Sequence, residues 1–396
     1  MSIEKNKAGI LAFVPDMWSD IWQSRHHVLS SLSEFYRVLW VSPPTCWEDC
    51  RKGFNRKMIM GRGVQKISDQ FWTFAFRLPL DDKPRNSKRG IIAVGYQSYQ
   101  KIGLKLYIAQ IKKLLQQMGI KKVILYVWRP EFLWALGKFG EKLVCYHIDD
   151  DYGFNPDCDE PVSFGEMKLI KKSDMVFIHS CSLMKKKGNI NPKTYYIPNG
   201  VDFDRYRKVM QSDILTPDDI AEIPKPRIGY VGFVKRHIDL PLIRRLAMLR
   251  RDISIVLIGP VRTEHTDIAK EVEKLKKEPN VYLMGGKPQV EIPHYIKALD
   301  VCLMPYRRTK YTKYIYPMKL HEYLACGKPV VAKPLENLMD FSDVIQFAVR
   351  ATEWSDKIDQ AIEGKFNLSY KQRIETAKVN SWQSRIDLIR AQFDKV

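Results

Sequence analysis

Short apolar runs alternate with amphipathic stretches along most of the chain, and the pattern restarts after Pro226. Such alternation is typical of parallel βα units. It predicts an α/β fold with two doubly wound, Rossmann-like domains that face each other across a cleft. The predicted strands are 10–14, 38–41, 123–127, 143–148, 175–179, 195–197, 228–234, 253–258, 281–284, 301–304 and 330–332. The predicted first-half helices are 23–34, 99–118, 132–139 and 164–172.

Turn and linker signals in the sequence mark the boundaries of two domains and a C-terminal helix. Residues 196–202, Tyr-Ile-Pro-Asn-Gly-Val-Asp, end a predicted strand in an Asn-Gly turn, and 213–225 is polar and flanked by prolines. Residues 380–390 predict an amphipathic helix capped by Ser381, which is expected to pack back across the domain junction. We therefore predict an N-terminal domain at 1–203, a C-terminal domain at 204–379, and a crossing helix at 380–396.

The positive charge is unevenly distributed. The 396 residues carry a formal charge of +20, and residues 51–142 hold 20 Lys and Arg against 5 Asp and Glu. The same segment has aromatic side chains at 71, 72, 74 and 76, and a predicted helix in which Lys101, Lys105, Lys112 and Lys113 interleave with apolar residues. This pattern favours contact with an anionic membrane surface. Nucleic acid would attract the same charge, but no RNP-type, KH-like or zinc-finger signature supports that partner.

The length of the apolar runs and the spacing of the cysteines limit which classes of protein this chain could belong to. No run approaches the roughly 18 apolar residues that span a bilayer, and residues 10–14 are too few for a signal-peptide core. The seven cysteines form no CxxC pair, so reduced thiols and no metal site are expected. The expected location is the cytoplasm, peripherally at the inner face of the membrane.

Residues 314–331 predict a short helix with an anion site at its start. Pro317 suits a helix start and Gly327 suits its end. Lys319 and the free N–H groups of the first turn together suit a phosphate or diphosphate. Glu322, three residues later on nearly the same face, could accept hydrogen bonds from the two hydroxyls of a ribose. An exposed Lys319–Glu322 salt bridge is the simpler alternative if this stretch is considered alone.

A second cationic turn follows the first strand of the second half. In residues 227–237, Gly232 allows close approach of the backbone to a phosphate, and Lys235 and Arg236 follow it. The spacing matches neither GxxxxGK[ST] nor GxGxxG, which disfavours a kinase or a dehydrogenase.

An ordered set of motifs in the second half resembles the GT-B glycosyltransferases, especially the large retaining group 1 family (glycosyltransferase family 4) that uses nucleotide-diphosphate sugars. The resembling stretches are 196–202, 229–232 (Gly-Tyr-Val-Gly), 256–259 (Val-Leu-Ile-Gly), 281–285 (Val-Tyr-Leu-Met-Gly), 300–305 and 317–331. The first half resembles that family less, through 22–32. The pair Met318-Lys319 is also similar to the nucleotide-binding pair of the xanthan glucuronosyltransferase, an inverting enzyme.

The resemblance implies roles for particular residues. It places Lys235, Arg236 and Lys319 near the diphosphate and Glu322 on the ribose, and it makes Gly232 and Met318 part of the same site. The implied neighbours of the base are Gly285, Gly286 and Lys287. A UDP-sugar is the expected donor, with no cofactor. The resemblance favours retention of configuration. Tyr314 stands where the family commonly has a donor-binding glutamate, and this departure leaves inversion open.

An acidic cluster follows a first-domain strand at Asp149-Asp150-Asp151. A carboxylate at the carboxyl end of a strand could take a proton from an acceptor hydroxyl, and Asp150 is the candidate base. A capping or turn role is an equally good interpretation. Asp149-x-Asp151 also fits the metal-binding DxD motif of GT-A transferases, but that fold would leave the second-half motifs unexplained.

A basic cluster, Arg25-His26-His27, lies in the first predicted helix and makes His27 a second, weaker catalytic candidate. Packing is the commoner role of such residues, as it is for Trp18 and Trp22 beside them. The sequence as a whole predicts transfer of a sugar to a hydroxyl of a lipid-linked or polymeric glycan, in cell-surface polysaccharide synthesis. The alternatives are a GT-B nucleotide-sugar epimerase and a noncatalytic protein that binds nucleic acid or another anionic polymer.

Overall fold

The structure is a computed structural model that describes residues 8–19, 22–43, 63–75, 90–152, 163–213, 216–262, 266–365 and 370–395. It contains an eight-stranded sheet built from the first half of the chain and a six-stranded sheet built from the second half. Neighbouring strands are parallel in both sheets, with β3 and β4 as the antiparallel exception. The predicted α/β fold with two doubly wound sheets is confirmed.

The first sheet has the strand order β3-β4-β2-β1-β5-β6-β7-β8. Its strands are β1 Ala8–Phe13, β2 Arg37–Val41, β3 Gly63–Ser68, β4 Phe71–Ala75, β5 Lys122–Val127, β6 Glu141–Ile148, β7 Met175–Ile178 and β8 Thr194–Tyr196. The helices of this half are α1 Ser24–Leu32, α2 Gly90–Gln117, α3 Ser163–Lys172 and α4 Cys181–Lys187. Apolar clusters cover both faces of the sheet, which explains why its central strands are continuous apolar runs.

The second sheet has the strand order β11-β10-β9-β12-β13-β14. Its strands are β9 Arg227–Val231, β10 Ser254–Ile258, β11 Val281–Leu283, β12 Val301–Met304, β13 Val330–Ala332 and β14 Gln346–Phe347. The helices after β8 are α5 Phe203–Gln211, α6 Asp218–Ala221, α7 Leu240–Leu249, α8 Thr266–Leu275, α9 Ile292–Ala298, α10 Met318–Ala325, α11 Ala351–Ile362, α12 Tyr370–Val379 and α13 Trp382–Phe393. A single apolar cluster forms the hydrophobic core of this half.

The last helix packs on the first half of the chain. Ser381 caps α13 by accepting a hydrogen bond from the backbone N–H of Ser384 at 3.2 Å, as predicted. Val201 donates to the carbonyl of Asn380 at 3.1 Å and accepts from the N–H of Trp382 at 2.9 Å, so the two crossings between the halves are hydrogen-bonded to each other. Apolar side chains of α13, Ile386 among them, then join the cluster that covers the first sheet.

A second junction lies beside the cleft. Asn337, buried in a 3₁₀ turn at Glu336–Phe341, accepts from the hydroxyl of Ser182 on α4 at 2.8 Å and donates to the carbonyl of Ile315 at 2.9 Å. Tyr314 lies nearby, with the Lys186 ammonium 4.9 Å from its ring centroid. Tyr314 therefore contacts the first domain, although the resemblance leads us to expect a donor-binding glutamate at this position.

Two local predictions were wrong. The stretch 132–139 was expected to be helical, but a short 3₁₀ turn at Pro130–Ala135 replaces it. The aromatic residues Phe71 and Phe74, which we took as apolar groups for membrane contact, are buried in β4. Residue 76 lies outside the described residues. In the described part of the chain, no helix has the length and hydropathy of a membrane span.

Candidate active site

The two sheets enclose a cavity of about 840 Å³ at the carboxyl ends of their strands. Both halves of the chain contribute to its lining. The first-half residues that matter below are Arg25, Arg129, Asp149, Asp150, His179 and Asn199. Those from the second half are Gly232, Lys235, His237, Gly286, Lys287, Tyr306, Tyr311, Met318 and Lys319. The cavity is therefore the cleft that the two-domain prediction required.

Three adjacent strands of the second sheet end in glycines with positive φ. Gly232 follows β9 with φ 155°, Gly259 follows β10 with φ 141°, and Gly285 follows β11 with φ 67°. A Cβ on Gly259 would lie 2.1 Å from the carbonyl oxygen of Gly232, so only glycine fits there. Because these glycines carry no side chains, a ligand could approach the protein backbone closely at the second-domain wall of the cavity.

The basic turn after β9 is divided between the cavity and the surface. Lys235 lines the cavity, whereas Arg236 is exposed and lies outside the lining. His237 stacks on Tyr306 with ring centroids 5.2 Å apart. Burial, and then the charge of Lys235, lowers the pKa of His237 to about 3. His237 is therefore neutral at pH 7, and Lys235 is the cation of this turn that faces the cavity.

Helix α10 begins at the cavity wall. Pro317 is its N-cap and not its first residue, and it gives the first turn no side-chain hydrogen bond. Met318 and Lys319 line the cavity. The helix ends before Gly327, whose φ of 68° is the left-handed conformation expected there. The start of α10 thus presents backbone N–H groups and one ammonium on the same side.

Lys319 and Glu322 form a salt bridge along α10. The ammonium donates to the carboxylate at 2.9 Å and 3.2 Å. The Glu322 side chain is only 7% exposed and does not line the cavity directly, while Lys319 is 21% exposed and does. The pair is not the exposed salt bridge of the simpler alternative, because Glu322 lies directly beneath the cation that faces the cavity.

The residues expected beside the base lie at the end of the cavity next to β11. Gly286 and Lys287 line it, and Gly285 forms the preceding turn. The ammonium of Lys287 donates to Asp219 at 2.5 Å, and the Tyr295 hydroxyl donates to the same carboxylate at 3.0 Å. Lys287 is therefore held in place by an acidic partner in the unliganded protein.

The three aspartates after β6 have different surroundings. Asp149 accepts from Arg25 at 3.2 Å and also from the Tyr152 hydroxyl. Burial opposes ionisation of Asp149, but the Arg25 charge and the Tyr152 hydrogen bond outweigh it and lower its pKa. Asp151 is buried and pairs with Lys186 at 2.6 Å and with Lys187 at 3.0 Å. Both flanking carboxylates are thus fixed by cations.

Asp150, between them, faces the cavity. One of its carboxylate oxygens accepts from the backbone N–H of Asp151 at 2.7 Å, and the other lies 3.5 Å from the Tyr311 hydroxyl of the second domain. Burial, and then the negative charge of Asp149, raises the pKa of Asp150 to about 7. A carboxyl group with this pKa, facing a cleft, has the properties of a general base near neutral pH.

Comparison with known proteins shows which proteins the chain is similar to. Residues 225–363 match the model of the glycosyl transferases group 1. The putative teichuronic acid biosynthesis glycosyltransferase TuaH of Bacillus subtilis is 28% identical over 183 residues, which is 44% of this chain and 44% of that protein. Two solved structures are similar over 98% of this chain and the whole of their own. They are Alr3699/HepE of Anabaena in complex with UDP, with a TM-score of 0.68 at 14% identity, and sucrose-phosphate synthase of Thermosynechococcus elongatus, with 0.69 at 16%.

Residues 225–363 are therefore similar to the group 1 glycosyl transferases, and the chain has the GT-B fold. The GT-A alternative is thereby excluded. The two carboxylates of Asp149-x-Asp151 also face different cations, Arg25 for the first and the lysines of α4 for the second.

In the basic cluster of α1, His27 packs against another helix and Arg25 lines the cavity. His27 stacks on Trp382 of α13, with ring centroids 5.0 Å apart and an interplanar angle of 13°, and it does not line the cavity. Burial, and then the charges of His26, Arg205 and Lys319, lowers its pKa to about 3. Arg25 lines the cavity but is held by Asp149 and Asp16. The helix face that we considered for catalysis instead joins α1 to α13.

Several lining residues escaped the sequence analysis. His179 follows β7, its Nδ1 lies 3.0 Å from the carbonyl oxygen of Ile148, and burial lowers its pKa. Asn199 donates to the carbonyl of Tyr316 at 2.8 Å and so joins the two walls. The available signal was their position at or near the carboxyl ends of predicted strands, the edge at which parallel sheets place their ligands.

Proposed function

We propose that the chain transfers a sugar from a UDP-sugar to a hydroxyl of a glycan in cell-surface polysaccharide synthesis. One observation carries the proposal: a single cavity has a glycine-turned, lysine-bearing wall opposite a carboxyl group whose pKa is about 7. Support also comes from TuaH, whose name assigns it to teichuronic acid biosynthesis, and from HepE, whose structure contains UDP.

The second-domain wall would hold the donor. Lys235, Lys319 and the first-turn amides of α10 would bind the diphosphate and stabilise the charge that develops on it as the glycosidic bond breaks. Gly232 and Gly259 would allow the phosphates to approach the backbone, with Gly285, Gly286 and Lys287 near the uracil. Glu322 would exchange its salt bridge for the ribose hydroxyls. Because two lysines already face this wall, we propose that no divalent metal is needed, and activity in excess EDTA tests this point.

The first-domain wall would hold the acceptor with its hydroxyl at Asp150. We propose retention of configuration, by analogy with the retaining relatives that the motif set resembles, and Asp150 then orients the hydroxyl and takes its proton late. In an inverting reaction the same residue would be the obligatory base. The anomeric configuration of the first-formed product, measured by proton NMR, decides between the two outcomes.

The ribose contact offers a test of donor binding. UDP should raise the melting temperature of the wild type, because a ligand of the folded state alone stabilises it. It should bind more tightly than 2′-deoxy-UDP, and the Glu322→Gln variant should lose most of that difference. Glu273→Gln, which removes the carboxylate of an exposed i,i+3 pair with Lys276 outside the cavity, is the matched control. Equal discrimination in the wild type and Glu322→Gln would remove Glu322 from the ribose site, and no response to UDP would reject the donor proposal.

The reaction class needs a separate assay. Incubating UDP-sugar with a glycan acceptor should release UDP and lengthen the glycan. Incubating the donor alone should leave its sugar unchanged, whereas a changed sugar would identify an epimerase. Binding of RNA or DNA without any nucleotide-sugar turnover would identify a noncatalytic polymer-binding protein.

We also propose peripheral contact with an anionic membrane through α2. Tyr107, Ile111 and Leu115 of this helix are buried against the sheet, while Leu106 is 56% exposed. Lys105, Lys112 and Lys113 are also exposed on this helix, and a combination of exposed lysines and apolar side chains is typical of interfacial helices. The side chain of Lys101 lies outside the described residues. Sedimentation with phosphatidylglycerol vesicles should fall in Lys105→Gln/Lys112→Gln and remain unchanged in Lys274→Gln/Lys276→Gln on α8.

A further inference from the structure

The segment between β12 and α10 has a one-sided charge that the donor site does not explain. Residues 305–319 contain five Lys and Arg and no Asp or Glu. Lys319 belongs to the donor wall described above. The other four, Arg307, Arg308, Lys310 and Lys313, lie in the loop that precedes α10.

This loop leaves the cavity wall and returns to it. Tyr306 lines the cavity at the start of the loop, and Tyr311 lines it again five residues later. Between them Arg308 and Lys310 are exposed, and the N–H of Arg307 donates to the carbonyl of His237 at 2.7 Å, which ties the loop to the cavity lining. Arg307, Arg308 and Lys310 do not line the cavity themselves, and the chain path places them at its edge, between two residues that do.

These three cations, which we call the cationic rim (Arg307, Arg308 and Lys310), have no acidic partner among the residues that the structure describes. The neighbouring Lys313 differs, because it shares Glu336 with Lys185 of α4, at 3.9 Å and 3.2 Å. Like charges held together without counter-charges repel each other, and an arriving anion relieves that repulsion. The rim has the charge pattern of a binding surface, whereas a solvated surface would normally intersperse both signs.

We propose that the cationic rim binds an anionic acceptor, a glycan that carries carboxylate or phosphate groups. The proposal rests on the proposed function and specifies its acceptor. The Tyr311 hydroxyl, where the loop re-enters the cavity, lies 3.5 Å from Asp150. A polyanion seated on the rim thus extends its terminal sugar past Tyr311 toward Asp150. The nucleotide phosphates have a separate set of cations deeper in the cavity, at Lys235 and Lys319.

The position of the rim favours a glycan over other anionic partners. A bilayer needs a broad surface with exposed apolar side chains, and the rim combines its cations with threonine and tyrosine at a concave opening. Tyr306 stacks on His237, so it is not available as a stacking platform for a nucleic acid base.

The test compares two triple variants with equal loss of charge. Arg307→Gln/Arg308→Gln/Lys310→Gln removes the rim. Lys208→Gln/Lys270→Gln/Lys277→Gln removes three exposed lysines that do not line the cavity. Calorimetry with saturating UDP would measure the affinity for trigalacturonate, which is the carboxylate probe, for farnesyl diphosphate, which is the phosphate probe, and for neutral maltotriose.

The rim variant should bind at least one anionic probe about tenfold more weakly than the wild type does in 50 mM salt, with the difference largely gone in 500 mM salt. The control variant should match the wild type, and maltotriose should not distinguish the three proteins. The preferred anionic probe identifies the source of the charge. Equal affinity of the rim variant and the wild type for both anionic probes would overturn the proposal. Rim-dependent binding of phosphatidylglycerol vesicles or single-stranded RNA in their place would also overturn it.

The thermal shift with UDP, recorded on the same samples, separates this proposal from the proposed function. If UDP does not raise the melting temperature of the wild type, the proposed donor site is wrong, whatever the cationic rim binds. A wild type with a normal UDP shift but rim-independent acceptor binding contradicts the rim alone.

Discussion

The two walls of the cavity hold charge in different ways. On the first-domain wall the carboxylates of Asp149 and Asp151 are each paired with a cation, and the pKa of Asp150 is raised to about 7. On the second-domain wall Lys235 and Lys319 face the cavity, beside glycine turns and the uncapped start of α10. The first wall is suited to exchanging one proton, and the second is suited to receiving a multiply charged anion.

This difference agrees with the role that we propose for each wall. Fixed cations that already point at a site stabilise developing negative charge without reorganisation. A carboxyl group shifted by burial can change its protonation state near neutral pH. The salt bridge of Asp149 therefore does more than hold a loop, because Arg25 favours the charged form of Asp149 and that charge, after burial, raises the pKa of Asp150.

The strongest test of the comparison is Asp150→Asn. If this residue handles the acceptor proton, the variant should lose about 10²- to 10⁴-fold in transfer rate while its affinity for UDP stays within about twofold of the wild type. Asp204→Asn, on the exposed first turn of α5, provides the control. Transfer at the wild-type rate in Asp150→Asn would leave the first wall without a catalytic role.

The second test addresses the backbone of the donor wall. Gly259→Ala should lower the free energy of unfolding by about 3 kcal/mol, because the new Cβ would clash with the Gly232 carbonyl and the φ of residue 259 is positive. The variant should also lose the rise in melting temperature that UDP causes in the wild type. Gly285→Ala has open space around its Cβ and should cost only about 1 kcal/mol. Denaturant unfolding measures both variants, and similar losses would show that the close approach at Gly259 has no particular importance.

The third test removes one cation from the donor wall. Lys319→Met should weaken UDP binding by roughly 10- to 100-fold, the range expected for a hydrogen bond to a charged group. Uridine, which lacks the diphosphate, should bind the variant and the wild type alike. Calorimetry with both ligands gives the comparison. A parallel loss for uridine would indicate that Lys319 acts through the shape of the wall and not through the phosphates.

The fourth test uses pH. Asp150 must be ionised to accept a proton, so between pH 6 and pH 8 the rate of transfer should rise about tenfold, with its midpoint near pH 7. The stability changes in the opposite direction. A raised pKa in the folded state contributes stability below the unfolded value of 3.8, and this contribution is lost as the pH rises through about 7. Asp150→Asn should therefore melt higher than the wild type at pH 8, and a pH-independent difference in melting temperature would contradict the raised pKa.

The smallest expected effect is at the contact between the walls. Tyr311→Phe removes a hydroxyl that lies 3.5 Å from Asp150, a distance at the limit of a hydrogen bond. The transfer rate should fall by no more than about threefold, equivalent to roughly 0.6 kcal/mol. A loss above about thirtyfold in single-turnover kinetics would show that the second wall takes part in proton transfer, and the comparison would need revision.

Most of the fold was predictable because its central strands are buried on both faces. The predicted strands 301–304 and 330–332 match β12 and β13 at both ends. The prediction failed at β4, where Phe71, Thr73 and Phe74 are buried and Trp72 is half-buried. The basic segment before this strand made the run resemble a surface. It also failed at Pro130–Ala135, where the apolar spacing suits a helix but the chain makes only a 3₁₀ turn.

The candidate site was predictable where its parts are close in sequence. Lys319, Met318 and the glycine turns are identified by local motifs, and they line one cavity or form its turns. His179, Arg129 and Tyr311 have no motif and are brought to the cavity by separate strands and loops. The stack of His27 on Trp382 depends on α13 returning to the first half, so the local sequence of α1 could not distinguish packing from catalysis.

The return of α13 to the first sheet affects how motion between the halves could be observed. Two dyes, one on α1 and one on α13, would keep a constant separation, since both helices pack on the same sheet although more than 300 positions separate them in the chain. A dye on α13 paired with one on α8 would instead report each opening of the cleft as a change in energy transfer. The hydrogen-bonded crossings at Val201 and Asn380 would then be the pivot about which that distance changes.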